Sequence, residues 1–110
     1  MIDLRLYIVQ RATAVVMLPF ILAHLFVIFY ATANGLSAAE ILGRTRGSTG
    51  WAVFYGLFVV LASAHGAIGI RTILREWLGL GHRSADIAAL AFAVLLVVLG
   101  VRAVIAVVVP

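Results

Sequence analysis

Three stretches of almost unbroken apolar sequence, about 7–33, 51–73 and 87–109, decide what this chain can fold into. Each supplies the roughly 20 residues a helix needs to cross the ~30 Å hydrocarbon layer of a bilayer. Backbone groups find no water in that layer, so an apolar run there closes its own hydrogen bonds as a helix. Composition points the same way: 65% of the 110 residues are hydrophobic and 11% are charged, where globular domains run at roughly 45–50% and about 25%. The mean hydropathy is +1.23. The expected fold is therefore all-α: an integral membrane protein of three transmembrane helices, read as a single domain over residues 1–110. So little sequence lies outside the spans that any soluble chemistry must come from partners.

Several function classes fall away. The formal charge is +4, but the eight basic residues are all arginine, are scattered, and mostly flank the apolar runs. Topology explains that pattern, and nucleic acid is not an expected partner. Cysteine is absent, which excludes disulfides, thiolate metal sites, iron–sulfur clusters and thioether-linked haem. Histidine is the main soft ligand left. The first run is too long for a signal-peptide core and has no small-residue cleavage site after it, so it reads as a retained span. No Arg- and Ser-rich transit segment precedes it, which favours a bacterial or archaeal membrane.

Pro19 lies in the middle of span one, frees the carbonyl of Val15, and is expected to kink the helix. In the first loop, Ser37-Ala38-Ala39-Glu40 has capping-box spacing and suggests a short interfacial helix. Trp51 and Tyr55 suit one membrane interface and Arg71 the other. Arg5, Arg11, Arg71, Arg75 and Arg83 lie on one side of the membrane, against Arg44 and Arg46 on the other. That bias places the N-terminus and the second loop in the cytoplasm.

Depth can then be counted at ~1.5 Å per residue. His24 falls roughly 25 Å from the start of span one, in the outer half, and His65 roughly 12 Å from the cytoplasmic end of span two. A vertical separation of something like 13 Å is too great for one metal ion to join them, so they indicate two sites. An ionisable group in lipid must be paired, ligated or hydrated. Ser63, Ala64, Gly66, Ala67 and Gly69 surround His65 with small side chains. That suits either a flat macrocycle or close helix packing, and spacing does not separate the two. His82, in the second loop, reads as a solvated surface histidine. Arg102, about 23 Å into span three, is level with His24. It either snorkels to the outer headgroups or pairs with an anion such as a haem propionate. Arg11, beside Gln10 and Thr13 on the cytoplasmic side, suits an inner propionate or a quinone pocket.

Gln10-Arg11-Ala12-Thr13-Ala14 opens span one, and His65-Gly66-Ala67-Ile68-Gly69-Ile70-Arg71, followed by Glu76-Trp77, closes span two. With three spans and these loop lengths, the whole chain resembles a cytochrome b membrane-anchor subunit of succinate dehydrogenase or fumarate reductase, of the smaller of the two anchor types. The resemblance implies that His65 is an axial ligand of haem b, paired with a histidine of a second anchor chain in a heterodimeric bundle. It implies docking of an iron–sulfur subunit and a flavoprotein subunit on the cytoplasmic face, and electron exchange with quinone near that surface. The dicarboxylate step then lies outside this chain. Two departures stand out. Single-haem members carry an acid followed by tyrosine where this chain has Glu76-Trp77, and an indole donates a hydrogen bond but does not exchange a proton as a phenol does. Single-haem members with the Arg-Ala-Thr opening also lack a histidine at position 24, whereas two-haem members have ligands in both of their first two spans.

The expectation is an inner haem on His65 and an outer haem on His24, each completed by the partner anchor, with Arg11 and Arg102 as propionate candidates. Trp77, Glu76 and Arg11 are the quinone candidates. The alternatives are a haem-free quinone-binding anchor, and a small transporter or channel subunit with His24, His65 and Arg102 along a polar path.

Overall fold

The computed structural model describes residues 2–110, which form four helices: α1 (Ile2–Asn34), α2 (Ala38–Thr45), α3 (Thr49–Glu76) and α4 (His82–Val108). Three of them, α1, α3 and α4, are long and apolar enough to cross a membrane. Each starts before its apolar run, because charged and polar flanks such as Asp3, Arg5, His82 and Arg83 continue the helix. Hydropathy marks only the part that faces lipid. Helix α1 runs unbroken through Pro19.

The molecule is a rod of 48 × 23 × 23 Å, longer than the ~30 Å hydrocarbon layer is thick. Helix α3 is its centre: it packs against both α1 and α4, which share no seam of their own. The outside is apolar all round, and among the described residues no large side chain is fully buried. Small groups fill the seams instead. Ser63, Ala67, Ala85 and Ala89 are buried, and Gly66 faces Phe92 and Leu96 of α4. A Cβ at Gly100 would lie 2.5 Å from Val59 Cγ1, so only a hydrogen is tolerated there. Lipid offers no hydrophobic drive between helices, and close approach through small residues supplies contact area in its place.

At one end, α2 caps the bundle. Ser37 is its N-cap, accepting from the Glu40 amide at 3.2 Å and donating to the Glu40 carboxylate at 2.7 Å. This is the short helix that the Ser37–Glu40 spacing led us to expect. Thr45 Oγ1 donates to the Val107 carbonyl at 2.6 Å and the Gly47 amide to that of Val108, also at 2.6 Å, fastening α2 to the last turn of α4. At the opposite end, Arg71 of α3 binds Asp86 of α4 (2.5 Å) and Asp3 of α1 (3.3 Å), tying the three long helices together.

Candidate functional site

The antiparallel register of α1 on α3 sets the height of each histidine. Near the Arg71 end, Thr13 Oγ1 lies 3.1 Å from His65 Nδ1. Further along, Phe20 stacks on Phe54 with centroids 5.3 Å apart. His24 meets Tyr55 and Phe58 edge-on, at 5.9 and 5.6 Å. Thr13 and His24 are therefore roughly 16 Å apart along α1 at ~1.5 Å per residue, and the two imidazoles occupy different levels.

Thr13 is buried. Its hydroxyl also approaches the Val9 and Gln10 carbonyls at 2.8 and 3.0 Å, the back-bonding usual for a threonine in an apolar helix. His65 therefore meets α1 through a hydrogen bond at one ring nitrogen, with the small residues Ala64 and Gly66 beside it in sequence. An axial haem ligand needs one nitrogen held and the other free to bond iron, and this arrangement supplies the held one.

His24 has a different environment. Its Nδ1 is buried and has no hydrogen-bond partner among the described residues. A buried polar atom left unpaired costs about 1–3 kcal/mol, so a group able to engage the ring stabilises this level. Beside it lies a cavity of about 390 Å³ walled by Tyr55, Phe58, Ala62, Gly100 and Ala103. Small side chains on α3 and α4 open this space. Both rings have donor chemistry suited to an iron porphyrin: His65 is oriented through one nitrogen, and His24 has an unpaired nitrogen at the edge of a cavity. The small residues beside His65 serve helix packing, with Ser63 and Ala67 buried and Gly66 against Phe92 and Leu96.

Arg102 is exposed and does not line that cavity, which takes its α4 wall from Gly100, Ala103, Val104 and Val107. The depth count gave its height but not its direction around the helix. Arg11 is also exposed, with its guanidinium over the Tyr7 ring at 5.2 Å.

At the Arg71 end a cleft of about 670 Å³ brings Arg11 and Glu76 together with Gln10, Arg71 and Arg75. Gln10 Oε1 is buried without a hydrogen-bond partner among the described residues. The cleft combines several guanidinium donors, an unpaired acceptor and the carboxylates of Asp3 and Glu76, which suits a ligand with carbonyl or hydroxyl oxygens. Trp77 stands apart from it, 82% exposed past the end of α3. His82 is exposed and pairs with Arg75 across the second loop.

Thr13 and Arg71 were not singled out by sequence as site residues. Thr13 had a usable signal: counted from the cytoplasmic side, it lies at nearly the depth of His65. Arg71 had less, because an arginine at a span end is ordinarily a topology marker.

A family model described as "Succinate dehydrogenase/Fumarate reductase transmembrane subunit" matches residues 2–107, nearly the whole chain. No curated protein and no solved structure matches it.

Proposed function

This chain belongs to the succinate dehydrogenase/fumarate reductase transmembrane subunits, and from that premise we propose that it is a haem b-binding anchor serving electron transfer between an iron–sulfur subunit and membrane quinone. Its placement as a multi-pass membrane subunit working with other subunits of such a complex follows from the family and the three long apolar helices. The haem reading goes further, and one observation carries it: two histidines at separate levels of an apolar bundle, one with its Nδ1 held by Thr13, the other with its Nδ1 buried and unpaired.

In this reading the whole chain is one anchor domain and half of a heterodimeric bundle. His65 would hold an inner haem and His24 an outer one, each together with a histidine of the partner anchor. Haem held between two histidines supplies one-electron redox chemistry and has no open position for oxygen. The bundle's residues orient the rings and exclude water. Arg11 serves an inner propionate or a quinone oxygen. Arg102, on an exposed face, serves an outer propionate only across the interface with the partner chain. Glu76, Gln10, Arg11 and Arg71 form the polar wall for quinone, whose reduction to quinol takes two electrons and two protons. Glu76, with Asp3 and Tyr7 on the same cleft wall, is a titratable group placed to pass a proton. Trp77, exposed as it is, contributes only where the iron–sulfur subunit closes over the cleft. The arginine bias supports a cytoplasmic position for this end, where the iron–sulfur and flavoprotein subunits would dock.

The polar-path reading gains no support, since Arg102 lies off the cavity wall that His24 shares. A haem-free anchor keeps one observation in its favour, the edge-on packing of His24 against Tyr55 and Phe58, which seats the ring among aromatic neighbours without any prosthetic group. Ligand substitution separates the two. In the purified complex, His65→Ala is expected to remove one spectrally distinct haem b and His24→Ala the other. A complex whose haem content is unchanged by both substitutions contradicts the proposal.

A further inference from the structure

The hydroxyl of Thr13 has one proton and three neighbours. Two of them, the carbonyl oxygens of Val9 and Gln10 at 2.8 and 3.0 Å, are acceptors only. The third is His65 Nδ1 at 3.1 Å, which donates or accepts according to its tautomer. If the proton were turned to the imidazole, the hydroxyl oxygen would face two carbonyl oxygens at hydrogen-bond distance with no proton between them. The proton therefore goes to a carbonyl, Val9 being the nearer. A lone pair of Oγ1 is left facing His65, and Nδ1 must carry the hydrogen. Nε2 is then unprotonated, with its lone pair free.

We infer that Thr13 is a positioning residue for His65, fixing the Nδ1–H tautomer so that Nε2 is the atom presented to haem iron. This rests on the haem-anchor reading above and deepens it. Two features of Thr13 make it suited to the task. It is buried, so water does not compete for the imidazole. Its hydroxyl is held by the backbone of its own helix, so the acceptor does not rotate away. The bond has a second effect, since an imidazole whose N–H is engaged donates more strongly through its other nitrogen. The register of α1 on α3 is thereby coupled to the electronic character of the ligand.

The experiment uses the whole purified complex, with assembly checked by subunit stoichiometry. Haem content comes from the pyridine haemochrome spectrum and the midpoint potential from redox titration of the haem component that His65→Ala removes. Thr13→Val keeps the shape and deletes the acceptor. It is expected to weaken haem binding roughly 10- to 100-fold and to raise the potential of the haem that is retained, because a weaker donor stabilises the ferric state less. Thr13→Ser keeps the oxygen and is expected to restore both. If Thr13→Val does not assemble, Thr13→Ala removes the same acceptor with less bulk and is expected to show the same two effects. Wild-type content and potential in the variant lacking the hydroxyl overturn the positioning role and leave the haem reading standing. Equal loss in Thr13→Ser and Thr13→Val also overturns it, since packing alone would then account for the effect. Haem unaffected by His65→Ala overturns both the positioning role and the assignment of His65 as a ligand.

Discussion

A side chain in lipid is judged by where its polar atoms and its bulk can go. Gly100 shows the case of bulk: a methyl group there meets Val59 at 2.5 Å, and Val59 is β-branched, with one strongly preferred rotamer in a helix. Gly100→Ala is expected to push α4 off α3 and cost about 1–3 kcal/mol, as overpacking does. A lowered midpoint of detergent-induced unfolding checks this. Gly100 and Val59 both line the cavity beside His24, so the added methyl reshapes its wall and the outer haem is expected to be lost before the inner one, read as a change in the reduced-minus-oxidised spectrum. Gly35 is constrained by its backbone, with φ at +131° and the Glu40 carboxylate packed where a Cβ would stand. Gly35→Ala is expected to loosen α2 without affecting the His65 level, measured by faster proteolysis of the first loop with the inner haem spectrum intact.

Among the elements, α3 organises the rest, and Arg71 is its tie to both neighbours. The Arg71 side chain is only 11% exposed, while those of Asp3 and Asp86 are 68% and 55% exposed. Exposed ion pairs contribute little, since a freed carboxylate is readily hydrated. The guanidinium is the less exposed member of both pairs, and it is the one that suffers when a partner is removed. Asp86→Asn, which weakens the shorter contact, is therefore expected to lower the melting temperature of the complex more than Asp3→Asn. Equal effects from the two contradict this ranking. At this scale the sequence was informative about depth and silent about direction. Apolar run lengths located three helices, and counting residues put His24 and His65 at separate heights. Nothing in the runs revealed that Arg102 turns from the cavity, that Trp77 projects outward, or that α3 lies between the other two. Apolar residues cover these helices on every side, so no amphipathic stripe marks the inward face. Thr13 escaped for a related reason, because a hydroxyl that back-bonds its own helix is at home in lipid without any partner.

As a whole, the molecule is a 48 Å rod whose apolar surface faces lipid or a second apolar chain. The absence of cysteine makes its orientation directly testable, since a single introduced thiol has no competitor within the chain. Ala39→Cys is expected to react with an impermeant maleimide from outside intact cells, and Leu78→Cys only after the membrane is opened. The reverse pattern contradicts the orientation read from the arginines. The central claim is that the two imidazoles, at two heights, each hold a haem. Counting haem b per pair of anchor chains in the purified wild-type complex tests it most directly. The account predicts two; a count of none, or of one, contradicts it.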